Sequence, residues 1–74
     1  MDNFEMALAL IKQAQNESIR LMTFNRTLDE ARATPGYTWE HRMKIESQFS
    51  PIPRKSIVND SLKMARRLLK EEYV

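Results

Sequence analysis

Two short clusters of proline and glycine set the strongest limits on how this chain can fold. Pro35 and Gly36 form the first cluster, and Pro51-Ile52-Pro53 form the second. Proline lacks a backbone N–H and restricts the residue before it, so a regular element is expected to stop at each cluster. The clusters divide the chain into three blocks. No block alternates apolar and polar residues with β-branched enrichment, so the sequence predicts an all-α fold.

The size of the chain limits how much surface it can bury. It has 74 residues, with no cysteine, one histidine and one glycine. A chain of this length buries little core, so residues 1–74 are expected to form a single small helical domain of three to four helices. Disulfides are excluded, and stability must come from helix packing, from a partner or from self-association.

The first block predicts a helix from about residue 3 into the low twenties. Asp2 and Glu5 have the spacing of a capping box at its start. Thr27 and Glu30 have the same spacing, which predicts a separate short helix that ends before Pro35. Six residues of the first helix approximate one helical face: Phe4, Leu8, Ile11, Ser18, Ile19 and Met22.

The second and third blocks each predict one helix. In residues 38–49, Arg42 and Glu46 are spaced for a weak ion pair. One broad arc of that helix carries Trp39, Met43, Ile45 and Phe49. The third helix, from about residue 54 to 72, is expected to be the longest and to be amphipathic, with a basic outer face. Its apolar side carries Val58, Leu62, Ala65, Leu69 and Tyr73.

Positive charge is concentrated in the third block. The formal net charge is only +2, but residues 54–70 hold six basic side chains and a single acidic one, Asp60. We call Lys63, Arg66, Arg67 and Lys70 the basic face. No acidic residue lies among these four, whereas a solvated helix face normally interleaves Glu with Lys. Four interpretations follow: a solvated face, a site for an acidic protein partner, a nucleic-acid contact, or a membrane-surface contact.

Two further groups are candidates for partner contact. Tyr37, Trp39 and Arg42 are residue types that are enriched at interface hot spots. Trp39 is expected in the core unless it serves an interface, and Tyr37 is expected to be exposed. Arg54 and Lys55, at the start of the third helix, are suited to phosphate and base contacts. A helix-turn-helix is disfavoured, because residues 50–53 lack glycine and contain two prolines.

The residues available for catalysis are few. A single glycine excludes the glycine-rich nucleotide motifs, and His41 has no cysteine or second histidine to complete a soft-metal site. His41 is therefore expected to be structural. The longest uncharged apolar run, residues 6–11, is far shorter than the roughly 20 residues that span a bilayer. The N-terminus lacks the basic region of a secretory signal. The sequence predicts no enzyme activity, no metal, no cofactor, no membrane span and a cytoplasmic location.

In size, charge and all-helical pattern the sequence resembles the small regulatory proteins encoded by bacteriophages and mobile elements, some of which bind host RNA polymerase. This resemblance implies a non-enzymatic protein that binds a larger macromolecule, with host transcription machinery as the target, through protein–protein interaction. The first alternative is a small DNA-binding transcriptional regulator that uses the basic C-terminal helix. The second alternative is a structural helical protein that assembles with copies of itself.

Overall fold

The computed structural model describes residues 2–73, and the side chains of residues 2–71. Within this range the chain is all-α and has no strand: α1 spans Asn3–Ala33, α2 spans Trp39–Gln48 and α3 spans Lys55–Tyr73. The prediction of an all-α fold is therefore confirmed. None of the helices in the described part of the chain has both the length and the apolarity needed to cross a membrane.

The helices form a long hairpin that is two helices wide and one helix thick, with extents of 56 × 18 × 13 Å. α1 is one arm, and α2 and α3 follow each other along it as the second arm. α2 packs on the C-terminal half of α1 through Phe24, Leu28 and Ile45, with Phe49 against them. The rings of Phe24 and Phe49 meet edge to face, with centroids 5.3 Å apart. α3 packs along α1 toward its N-terminus, and in the described residues it does not contact α2.

The contact between the two arms follows a heptad pattern, which we call the seam. In α1 the buried and half-buried seam residues recur at alternate steps of four and three: Asn3, Ala7, Leu10, Ala14, Glu17, Leu21, Phe24, Leu28 and Ala31. This spacing keeps one side of a helix against its neighbour over many turns. In α3 the seam residues are Val58, Ser61, Ala65 and Leu68. Small side chains dominate the α1–α3 part, and no large side chain among the described residues is fully buried.

α1 is the longest helix, with 31 residues against 19 for α3, so the prediction that the C-terminal helix is longest is wrong. The predicted break in the first block is wrong as well. The Thr27 hydroxyl does not cap a new helix, since it donates to the backbone oxygen of Thr23 at 2.8 Å within the continuous α1. Seam residues lie on both sides of Thr27, so packing along α1 outweighs the local capping signal.

The predicted start of the first helix and the predicted stops at the two proline clusters agree with the structure, whereas the predicted end of the first helix in the low twenties does not. Asp2 Oδ1 accepts a hydrogen bond from the backbone N–H of Glu5 at 2.7 Å, which caps the start of α1. α1 ends at Ala33, before Pro35, as the sequence predicts. Gly36 follows with φ of +84°, a left-handed conformation that glycine adopts without steric cost. α2 and α3 lie within about one residue of the predicted ranges, because the proline clusters limit both.

Candidate functional site

The basic face lies on the outer side of α3. Its four side chains, Lys63, Arg66, Arg67 and Lys70, are exposed, whereas Ser61 and Ala65 on the same helix are buried. None of the four forms an ion pair with a carboxylate of residues 2–71. Asp60 borders the basic face and lines a shallow groove with Lys63, Met64 and Arg67. A partner that approaches this side of α3 therefore meets positive charge that no carboxylate of residues 2–71 pairs with.

The basic face is compact. The seven steps from Lys63 to Lys70 correspond to about 10 Å along the helix axis at 1.5 Å per residue. At 100° per residue, Arg66 and Arg67 lie on opposite sides of the line that joins Lys63 to Lys70. The four cations span an arc of about 100° around the helix axis. This surface matches a cluster of carboxylates or phosphates in size. It is not a cleft that could enclose a small molecule.

The turn between α1 and α2 carries the aromatic candidates. Trp39 is the first residue of α2 and is 71% exposed, so the prediction that it lies in the core is wrong. Tyr37 is half-buried, and its ring stacks on His41 with centroids 6.3 Å apart, so the prediction that Tyr37 is the exposed member is also wrong. In a hairpin one helix thick, only residues on the seam are covered, and Trp39 lies beside the seam.

His41 and Arg42 make local contacts that support α2. The backbone N–H of Thr38 donates to His41 Nδ1 at 3.2 Å, so this nitrogen accepts and the imidazole caps the start of α2. The Thr38 hydroxyl lies 2.9 Å from the same nitrogen. Arg42 Nε donates to Glu46 Oε1 at 3.0 Å, as the spacing in the sequence predicts. The charge of Arg42 is thus partly neutralised by Glu46 within the chain.

The structure does not bring the predicted site residues into one place. Trp39 and Tyr37 lie at the turn end of the hairpin, and Lys70 lies toward the other end, beyond α2, the linker and most of α3. The ten residues of α2 alone correspond to about 15 Å. Arg54 and Lys55 are exposed between the two groups, where α3 begins. The nine predicted residues therefore lie in separate groups along one arm.

The sequence interpretation identified one apolar face of α1 but did not predict that its side chains are exposed. Leu8, Ile19 and Met22 are 50%, 62% and 61% exposed. They belong to the face whose spacing predicts a helix in the first block, but that face lies beside the seam and not on it. The seam residues have their own four-and-three spacing in the sequence, so two adjacent apolar rows were detectable. A two-helix hairpin can cover only one of them.

The sequence interpretation also missed the role of Arg20, which forms an ion pair within α1 and a hydrogen bond to the second arm. Glu17 is on the seam and is 8% exposed. Its Oε1 pairs with Arg20 Nη1 at 2.7 Å. The second guanidinium nitrogen of Arg20 donates to the backbone oxygen of Pro51, in the linker between α2 and α3. Arg20 thus connects α1 to the linker between α2 and α3.

The described residues hold no cluster of three or more His, Asp or Glu side chains placed to bind a metal ion. No family model, curated protein or solved structure matches the chain. Three exposed surfaces are candidates for partner contact: the basic face, the α1–α2 turn with Tyr37 and Trp39, and the row of exposed apolar side chains on α1.

Proposed function

We propose that this protein is a non-enzymatic regulator that binds a larger protein, and that the basic face contacts an acidic surface of that partner. The observation that carries the proposal is the outward position of four cations, none of them paired with a carboxylate of residues 2–71. Such cations attract carboxylates on a partner, which speeds association and selects against basic surfaces. The resemblance to small phage regulators makes host transcription machinery in the cytoplasm, RNA polymerase above all, the proposed target.

The proposed mechanism is occupation of a surface. Trp39 offers a second contact at the turn end of the hairpin, since an exposed tryptophan contributes a large contact area at low cost in conformational entropy. The hairpin is 56 Å long, and the basic face and Trp39 lie toward its two ends. A partner that engages both must span most of the length of the hairpin. Binding along this length masks a working surface of the partner or favours one of its conformations.

A nucleic-acid contact by the same helix is the second candidate function. Exposed Arg54 and Lys55 extend the positive charge of α3 toward its start, which favours this reading. A helix-turn-helix packs its two helices together, whereas α2 and α3 make no contact within the described residues. The contact would therefore be with phosphates, and its affinity would depend strongly on salt.

The test is an affinity pull-down from the source cell with three forms of the protein. In the first variant Lys63→Glu and Arg67→Glu reverse the basic face. In the control, Arg26→Glu and Lys44→Glu make the same change in net charge at exposed positions of α1 and α2. We expect a stoichiometric partner with the wild type and with the control, and none with the basic-face variant. Binding should weaken between about 50 and 300 mM salt because exposed charges are screened.

Recovery of no stoichiometric partner, or equal recovery by the basic-face variant, contradicts the proposal. Titration with duplex and single-stranded DNA decides the second candidate. A steep linear fall of log affinity with log salt supports a DNA contact, and no binding at about 50 mM salt rules it out.

A further inference from the structure

The folded chain exposes more surface than a compact monomer of its size. Its accessible surface is 5945 Å². A compact monomer of 8.8 kDa exposes about 4,800 Å², so the excess is roughly 1,100 Å². A standard protein interface buries about 800 Å² on each partner. One interface of ordinary size would therefore cover most of the excess.

Much of the exposed apolar surface lies on one side of the hairpin. If the seam residues of α1 are given heptad letters a and d, Phe4 and Ile11 fall at e, and Leu8 and Met22 fall at b. At 100° per residue these four lie within an arc of about 60° beside the seam. Phe4, Leu8 and Met22 are 45%, 50% and 61% exposed.

The second arm adds apolar residues to the same side. In a parallel pair of helices, the e positions of one helix lie on the same side of the seam as the g positions of the other. Reversing one helix exchanges its two flanks, so in an antiparallel pair the e positions of both helices lie on one side of the seam. Ile45 and Phe49 pack on α1 and take the seam letters d and a. Trp39 then falls at e and Met43 at b, and they are 71% and 48% exposed. The half-buried Leu62 and Leu69 fall at e of α3. We call the exposed set on this side, together with the half-buried Ile11, the lateral apolar face: Phe4, Leu8, Ile11, Met22, Trp39 and Met43.

The two flanks of α1 differ in chemistry. On the lateral apolar face, positions 4, 8, 11, 15, 18 and 22 carry no charged residue, and this row is about 27 Å long. On the opposite flank, over the same turns, the exposed or half-buried residues are Met6, Ala9, Gln13, Asn16, Arg20 and Thr23, so its apolar side chains are confined to the first turns and it carries one charge, at Arg20. The uncharged row offers no cation to phosphates or carboxylates. It calls for a partner with an uncharged apolar row of similar length, and a second copy of the chain has one.

We propose that the lateral apolar face is covered by a second copy of this chain, with two hairpins packed face to face about a two-fold axis. A two-fold dimer uses the same patch on both copies, so the length and the uncharged character of the row match automatically. Lys63, Arg67 and Lys70 lie outside this face, at the outer f and c positions of α3, and Arg66, the fourth residue of the basic face, falls at b at the edge of the lateral apolar face. The dimer therefore presents two basic faces to a partner but covers Trp39, so this proposal is independent of the basic-face contact, whereas a Trp39 contact with that partner requires the dissociated chain.

The test is sedimentation of the full chain between about 1 and 200 μM in moderate salt. We expect a species of two chains that dissociates on dilution. Met22→Glu places a carboxylate within the lateral apolar face of both copies and should raise the dissociation constant by about 100-fold or more. Met64→Glu is the matched control, because Met64 is 49% exposed and lies on the opposite flank, at g of α3. It should leave the dissociation constant within about threefold of the wild-type value.

A second measurement covers the case in which Met22→Glu does not fold. The Tm of a wild-type dimer rises with protein concentration, whereas that of a folded monomer does not. The proposal is overturned by a one-chain mass at every concentration with a constant Tm, by an assembly larger than two chains, or by equal weakening in both variants. A chain that stays monomeric and binds lipid vesicles through Met22 would assign the face to a membrane surface instead, which also overturns it.

Discussion

At the scale of single residues, Glu17 is the side chain that depends most on a pairing partner. It is a carboxylate at 8% exposure on the seam between the arms. A buried charge is tolerated when it is paired and hydrogen-bonded, and Arg20 supplies that partner at 2.7 Å. Arg20 also donates to the backbone oxygen of Pro51, so removal of one side chain breaks two contacts. The pair at Asp29 and Arg32 has the same spacing in α1 but is exposed and longer, at 3.8 Å.

We therefore expect Arg20→Ala and Arg32→Ala to have different effects on stability. Arg20→Ala leaves Glu17 buried without its cation and should lower the free energy of unfolding by about 1–2 kcal/mol, a range reduced because Arg20 is partly exposed. Arg32→Ala should cost less than about 0.5 kcal/mol. Urea unfolding followed by circular dichroism, at one protein concentration, measures both. Equal losses would show that Glu17 does not depend on Arg20.

Tyr37 and Trp39 show that residue type alone does not decide which aromatic side chain is exposed. The residue types of Tyr37 and Trp39 favour contact with other groups, but burial depends on how many layers of helix surround them. A third layer would have covered Trp39. In this hairpin Trp39 is 71% exposed, while Tyr37 is half-buried beside His41. Sequence reasoning could place both residues at the α1–α2 turn, and only the assembled fold decides which one is exposed.

At the scale of the elements, the ends of α2 and α3 were predictable because proline acts locally. The length of α1 was not, because two local signals compete with a long-range one. Thr23 and Thr27 are residues that favour helix starts, yet inside α1 their hydroxyls donate to backbone oxygens four residues earlier. The seam runs from Asn3 to Ala31 and keeps the chain helical through these positions. Its spacing is visible in the sequence only when small residues such as Ala7 and Ala14 count as core.

The small residues of the seam allow a prediction about how closely the arms approach. Ala14 is 2% exposed and faces the second arm, so Ala14→Leu would force the helices apart and should cost about 1–3 kcal/mol of stability. Ala9, on the exposed flank of α1, is the control, and Ala9→Leu should change stability by less than about 0.5 kcal/mol. Thermal and urea unfolding give the values. An Ala14→Leu variant as stable as the Ala9→Leu variant would contradict close packing of α1 on α3.

At the scale of the whole molecule, the sequence predicts helices but not how they are arranged. Three amphipathic helices can form a bundle in which each packs on both others, or a hairpin in which one long helix supports two shorter ones. The choice depends on the direction of the chain after residues 50–53, where α3 continues along α1 and does not fold back on α2. The same geometry separates the basic face from Trp39. Composition and spacing carry no information about that separation.

The lack of contact between α2 and α3 has a consequence for how the molecule opens. α2 is held to α1 by a small cluster around Phe24, Leu28 and Ile45, whereas α3 is held along a longer seam. Units of different local stability open separately, and amide hydrogen exchange reports each opening. We expect amides of α2 to exchange faster than those in the middle of α3, with the change in protection at residues 50–53. Uniform protection of both helices would show a single cooperative unit.

If protection divides in this way, the molecule is a stable α1–α3 pair that carries α2 as a detachable flap. Trp39 then moves with the flap. Its reach from the pair would be set by the turn at Gly36 and by the proline linker, which act as the two hinges of one small moving part.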